Sequence, residues 1–368
     1  MKKKIGILTF WGVPNYGAFA QAYALNNVIS SLLPECAVEH IGYLHERHYA
    51  LYFRKPFPKT TSIRTMLSPF YYKRIASYLL HDKSIPHEKF TEEWNRIPHR
   101  PFKNTREFES YHYDIIVTGS DSIWEYSIPD FGDDEHLIGN NLNADTVIAY
   151  AASFGNMNAG DSFRPFVSAG LRNYRHISVR DKVSENIIAG IDSTINASVV
   201  VDPVLLWDFK NDSSIPKSQY KNYILVYGSN FPEGLISDTR KYAEEHGLTI
   251  IGAGIAPEWC DIRLTEGNIG PKEWIGLFAA AEFVVTCTFH GLMFSLIHEK
   301  KFVFNQVDYV KNRSTSLLED LGLYKLYKGG LILKDILDYE WNYDLLKSRL
   351  AVLRENSMNF LREALNDA

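Results

Sequence analysis

Residues 279–297 read Ala279-Ala280-Ala281-Glu282-Phe283-Val284-Val285-Thr286-Cys287-Thr288-Phe289-His290-Gly291-Leu292-Met293-Phe294-Ser295-Leu296-Ile297. As one continuous helix, this run is long enough to cross a bilayer. Glu282, His290 and Gly291 argue against that reading, because charged and polar side chains are expensive at bilayer depth. The same residues divide the run naturally into the end of one helix, an apolar strand, a turn and the start of a second helix. The segment is therefore expected to be a strand–turn–helix unit of a soluble α/β core. His290 then stands where the strand hands over to the helix, and Gly291 opens that helix to a close approach.

The same alternation extends outward in both directions. Strands are predicted at 4–10, 115–119, 147–151, 177–180 and 198–201, and a second series at 223–227, 249–251, 283–286 and 302–304. Helical periodicity falls between them at 18–33, 183–189, 235–245, 272–281 and 292–298. Near-continuous Val/Ile/Leu strands separated by helices predict parallel sheets covered on both faces. The polar stretch 208–218, with Asn211-Asp212-Ser213-Ser214 and Pro216, reads as a linker between the two series. The expected fold is α/β, with two Rossmann-like domains, 1–207 and 208–340, facing a central cleft at their strands' carboxyl ends. That is a GT-B-like arrangement. Residues 45–101 break the alternation and are expected to form a helical insertion near the cleft mouth, where an acceptor would be selected. Residues 341–368 are expected to form a helix packing back on the N-terminal domain.

Composition agrees with a globular chain of two domains: 368 residues, 45% hydrophobic and 23% charged. A formal net charge of -5 supplies no global basic field to hold nucleic acid or an anionic membrane, and no nucleic-acid partner is expected. Three widely spaced cysteines, Cys36, Cys260 and Cys287, give neither a disulfide framework nor a zinc pattern. They favour a reducing, cytoplasmic location. His45 and His48 lie close together without a third ligand, and no metal is expected. Lys2, Lys3 and Lys4 followed by an apolar run, with Ala18-Phe19-Ala20 beyond, have the outline of an export signal. Pro14, Asn15 and Tyr16 interrupt that outline, and residues 5–10 are expected instead to be a retained core strand.

Ligands of doubly wound sheets bind at the loops after the strands. The first such loop carries Asn15, Gly17 and Gln21 at a helix start, as an anion cradle or as a capped turn. The second carries Gly119, Ser120 and Asp121; Asp121 is either a base for a sugar hydroxyl or a helix cap. The third, Tyr150-Ala151-Ala152-Ser153-Phe154-Gly155, offers Ser153 among small residues. The fourth places Arg180 at a strand end, where its fork can hold a carboxylate or phosphate, or pair with Asp181 or another acidic neighbour. His290 with Gly291 completes the set, as a phosphate binder or proton carrier. No Gly-x-Ser-x-Gly elbow, Walker loop or zincin helix is present.

In this order, these loops resemble the polysaccharide pyruvyl transferase family. The matching elements are Asn15-Tyr16-Gly17-Ala18 with Gln21, Gly119-Ser120-Asp121 with Trp124, and Tyr150-Ala151-Ala152-Ser153-Phe154-Gly155. They continue with Ser178-Val179-Arg180-Asp181, Val201-Asp202-Pro203-Val204-Leu205-Leu206, Thr288-Phe289-His290-Gly291 and Asp320-Leu321-Gly322-Leu323. The resemblance implies phosphoenolpyruvate as co-substrate, no further cofactor, and a ketal formed on a hexose or hexosamine of a surface polysaccharide (a capsule or exopolysaccharide). It further implies that Arg180 and His290 bind and activate the donor, and it allows peripheral membrane association through a lipid-linked acceptor. Ser122, where the family often has Gln, and Thr288, where it often has Arg or Ser, depart from the pattern. Two other functions fit the same fold: a glycosyltransferase using a nucleotide sugar, and a non-catalytic glycan-binding protein.

Overall fold

The computed structural model describes residues 2–60, 62–81, 84–131, 133–327 and 333–368. Seven strands form the first sheet: β1 (Lys4–Leu8), β2 (Ala37–Gly42), β3 (His99–Pro101), β4 (Tyr113–Thr118), β5 (Ala144–Ala152), β6 (His176–Val179) and β7 (Ser198–Val199). Five form the second: β8 (Tyr223–Tyr227), β9 (Thr249–Ala253), β10 (Ile262–Leu264), β11 (Phe283–Thr286) and β12 (Lys301–Phe304). Their spatial orders are β3-β2-β1-β4-β5-β6-β7 and β10-β9-β8-β11-β12. Every ladder is parallel, with Ile5 opposite Ile115 and Val285 opposite Val226 at the two centres. Burial on both faces explains the apolar runs: Tyr223 to Val226 and Val284 to Val285 are fully buried.

Each sheet reverses its winding once, between β1 and β4 in the first and between β8 and β11 in the second. At such a reversal the loops after the two central strands part and leave a crevice. The two crevices meet, which makes the molecule a pair of Rossmann-like sheets in a GT-B-like arrangement. One apolar cluster runs through both halves. Tyr16, at the start of helix α1 (Tyr16–Leu32), packs its ring between Phe90 and Trp274, and its hydroxyl donates to the Ile269 carbonyl at 3.1 Å.

The predicted strands and helices match to within a few residues, and the run 279–297 divides as expected into helix end, strand, turn and helix. Three strands were not foreseen. β2 carries Glu39 and His40 and is only partly buried, and β3 and β10 are three-residue edge strands. Polar, short edge strands avoid the apolar run that marks a central strand. The stretch 45–101 is therefore corrected at its end, since residues 99–101 belong to the first sheet. Before them lie helices α2 (Glu46–Phe53), α3 (Ile63–Met66) and α4 (Pro69–Leu80), and a further helix at Glu88–Asn95. Residues 61, 82 and 83 of that stretch lie outside the described residues.

The last helix, Tyr343–Asn366, crosses to the first sheet. Its Ser357 hydroxyl accepts the Val201 amide at 2.9 Å, and Asp367 meets Arg175 and His176 at 2.9 and 2.8 Å. No helix among the described residues is long and apolar enough to cross a membrane.

Candidate functional site

β11 ends at Thr286, and the Thr288 side chain caps the next helix, Phe289–Ile297, by accepting the Gly291 amide at 3.1 Å. A Cβ on Gly291 would stand 2.1 Å from the Thr286 hydroxyl, so only glycine fits this tight turn. The turn throws His290 across the cleft against α1, its ring packed on Gly17. His290 Nε2 faces Asp202 Oδ2 at 3.9 Å and has no hydrogen-bond partner among the described residues. Burial holds its pKa below the ordinary imidazole value; Asp202 and Asp121 oppose that shift without cancelling it, and Arg180 and Arg313 reinforce it.

Arg180 follows β6 and is buried, with 5% of its surface exposed. Its Nη1 donates to Asp202 at 2.7 Å, and its Nη2 donates to Asp121 at 3.2 Å and Ser122 at 3.3 Å. The Phe289 ring lies under the guanidinium at 4.7 Å. Burial disfavours the charge, but the two carboxylates outweigh it and keep the group above its usual pKa. The expected pairing of Arg180 with an acidic neighbour is seen, with Asp202 and Asp121 rather than with Asp181. Asp181 instead caps the following helix, Lys182–Ile191, by accepting the Ser184 amide at 2.7 Å.

Asp121 sits at φ 85, a left-handed conformation that Asp tolerates better than most residues. It caps no helix; its Oδ1 accepts the neighbouring Ser122 amide at 2.8 Å. Burial pushes its carboxyl pKa up, and Arg180, His290 and Arg313 more than reverse that, so it lies below its ordinary value.

The other expected residues support this centre from behind. Gln21 donates to Thr9 and the Ala18 carbonyl, both at 3.0 Å, and accepts the Ser120 amide at 3.0 Å. The Ser120 hydroxyl donates to Ala151 at 2.9 Å and faces Asp202 at 3.3 Å. Ser153 donates to Asp181 at 2.7 Å. Asn15 caps α1 through the Gly17 and Ala18 amides, at 3.0 and 3.1 Å, while also lining the cavity in front of the site. Gly119 has φ 115, and a Cβ there would meet the Tyr150 carbonyl at 2.2 Å.

Four residues at the centre escaped the sequence reading of the site. Asp202 appears in a matching motif but was given no role there. Ser122 accepts from both Arg180 and Arg313, at 3.3 and 3.0 Å. Arg313 comes from the interior of helix Asp308–Asp320, away from the carboxyl end of any strand. Burial lowers its pKa to about 10, Arg180 adding to the effect. Tyr52, from α2, lines the frontal cavity of about 290 Å³ together with Asn15, Asp121, Ser122 and Arg313. A second cavity, of about 140 Å³, lies against Arg180, Asp202, Phe289 and Arg313. Arg313 thus walls both. Two guanidinium groups, one imidazole and two carboxylates converge here, a set suited to gripping a small polyanion and moving protons beside it. Among the described residues no group of three or more His, Cys, Asp or Glu is placed to hold a metal ion.

The family model described as polysaccharide pyruvyl transferase matches residues 15–304. No curated protein sequence matches the chain. Solved structures resemble it distantly. A Staphylococcus aureus MnaA–UDP structure is 11% identical, with a TM-score of 0.48 over 100% of this chain and 97% of that one. A Methanocaldococcus jannaschii UDP-GlcNAc 2-epimerase in complex with UDP-GlcNAc and UDP is 10% identical, with a TM-score of 0.45 over the whole of both chains. The Escherichia coli heptosyltransferase WaaC with ADP is 11% identical, with a TM-score of 0.36 over 82% of this chain and 86% of that one.

Proposed function

The chain belongs to the polysaccharide pyruvyl transferase family, and from that premise we propose that it moves a pyruvyl group from phosphoenolpyruvate onto a hexose or hexosamine of a surface polysaccharide or its precursor, in the cytoplasm. The observation that carries the donor assignment is the convergence of Arg180 and Arg313 on the Ser122 hydroxyl beside His290. Phosphoenolpyruvate brings a carboxylate and a phosphate on one small skeleton, and two guanidinium forks match that pair of anions.

In the proposed reaction the methylene carbon takes a proton, and the carbon bearing the phosphate becomes oxocarbenium-like. One sugar hydroxyl adds to that carbon, and a second displaces phosphate to close the ketal. Of the two hydroxyl protons, one ends on the new methyl group and the other leaves with phosphate. His290 is assigned the proton delivery at the donor, and Asp121 the acceptance of a hydroxyl proton. Arg180 holds Asp121 ionised and weakly basic before the donor binds. A donor anion that takes over the Arg180 Nη2 releases Asp121 from that pair and raises its basicity. Asp202 keeps Arg180 Nη1 throughout, at 2.7 Å. The test is phosphate release from phosphoenolpyruvate with a panel of sugar acceptors, run beside the same acceptors with nucleotide sugars. Transfer from a nucleotide sugar, with no release from phosphoenolpyruvate, would overturn the proposal.

A further inference from the structure

Residues 55–80 leave the body of the fold and return to it. Antiparallel pairing of Arg54 with Ser84 and the Ile85 amide donating to the Phe53 carbonyl at 3.0 Å close the neck of this excursion. Beside the neck, His87 Nε2 meets the carbonyl of Tyr52 at 3.0 Å, and Tyr52 lines the site's cavity.

Neither α3 nor α4 contains a buried residue. Tyr71, Ile75 and Tyr78 form the half-buried face of α4; Tyr71 donates to the Pro58 carbonyl at 3.0 Å and Tyr78 packs edge-on against Phe57. A stripe flanking that face presents Tyr72, Leu79 and Leu80 at exposures of 61, 63 and 81%. Ile63, Leu67 and Phe70 add exposures of 74, 75 and 70%. Large apolar side chains exposed together in one excursion mark a surface that meets something. Between Arg54 and Ser84 the sequence holds Lys55, Lys59, Arg64, Lys73, Arg74 and Lys83 against one acidic residue, Asp82, although the whole chain carries -5.

We propose that this excursion is a membrane-docking element that lays the Tyr72–Leu79–Leu80 stripe into the interface of an anionic phospholipid bilayer. Charge selects the occupant: a second copy of the chain would bring the same excess of cations face to face, whereas an anionic surface neutralises it. The pattern of apolar stripe, aromatic rings and flanking Lys and Arg is that of helices lying in the plane of a bilayer. Association of this kind needs no spanning helix. It is independent of the reaction assigned to the cleft.

The test is co-sedimentation of the full chain with phosphatidylcholine vesicles, with and without phosphatidylglycerol. The wild type should bind the anionic vesicles and lose them at high salt. Leu79→Ser with Leu80→Ser, and separately Lys73→Glu with Arg74→Glu, should each cut the bound fraction by about tenfold or more. All these side chains are exposed, so the melting temperature should stay unchanged. No binding by the wild type at low salt would overturn the proposal. So would equal binding by wild type and variants, or a wild-type dimer that the serine variant breaks while vesicle binding is unaffected.

Discussion

Gly17 and His290 belong to opposite halves of the molecule and touch: a Cβ added to Gly17 would stand 2.1 Å from His290 Nδ1. Position 17, in the first turn of α1, must therefore lack a side chain for the imidazole to reach its place. Gly17→Ala is a favourable change for a helix in isolation, so its cost falls on the contact. The variant should keep its melting temperature within a few degrees and lose about 100-fold in kcat/KM, the scale of an ångström-sized misplacement. Full activity in the variant would mean that the ring's position does not matter.

His290 itself separates two roles. His290→Ala should cut turnover by about 100-fold or more, as for a lost acid–base group. His290→Gln keeps a hydrogen-bond donor but cannot carry a proton near neutral pH. Recovery of most activity in the Gln variant would assign His290 to phosphate positioning, and failure to recover would assign it to proton transfer. Unfolding of both variants would remove it from the chemistry.

Arg180 and Arg313 share one acceptor, so their contributions should be coupled. Arg180→Lys and Arg313→Lys each keep a charge and lose the fork, and each is expected to weaken phosphoenolpyruvate binding by calorimetry and to lower kcat/KM by about 100-fold. The double variant should lose less than the product of the two single losses, because either change already opens the grip. Strictly multiplicative losses would mean that the two groups act on separate ligands.

Donor binding should change the charge of His290. Burial holds its pKa below the ordinary value before the donor binds, so at neutral pH the ring is mainly uncharged. A bound polyanion beside it raises that pKa, and binding of phosphoenolpyruvate should therefore take up a proton from the buffer. Calorimetry in buffers of different ionisation enthalpy reads the uptake. His290→Gln should abolish it, and an unchanged proton count in the variant would place the titration elsewhere.

Acid stability should respond to a histidine far from any chemistry. His40 is fully buried and stacked on Trp11, with Nε2 on the Ala22 carbonyl at 3.1 Å, and burial pushes its pKa from 6.5 down to about 3. The unfolded chain takes up this proton first. Stability from the neutral ring is thus complete above about pH 6.5 and is lost as pH falls from there toward 3. His40→Gln should show a smaller drop in melting temperature between pH 7 and pH 5 than the wild type. Part of the drop should persist, since His48 and His298 are also lowered, each to about 4. An identical drop would clear His40.

The sequence made the central strands legible because both their faces are buried, as in Tyr223–Tyr227 and Phe283–Thr286. Edge strands β3 and β10 were not legible, since solvent on one side lets polar residues in. His290, Arg180 and Asp121 could be found because each follows a strand at its carboxyl end, a place that can be read locally. Arg313 could not. It lies past residue 304, where the family match ends, inside an amphipathic helix rather than at a strand end, and only tertiary packing brings it to Ser122. Asp202 was visible as a motif, but its partnership with Arg180 joins residues of different loops that no spacing rule connects.

The bond from the Val201 amide to the Ser357 hydroxyl has a consequence for how the protein is made. Val201 immediately precedes Asp202, the carboxylate that holds Arg180, so the backbone beneath the anion grip is pinned by a helix translated after both sheets. A ribosome delivers the strands, the cleft loops and Arg313 before it delivers Ser357. The nascent chain can lay down its sheets early, yet the grip is fastened only when the final helix emerges and docks.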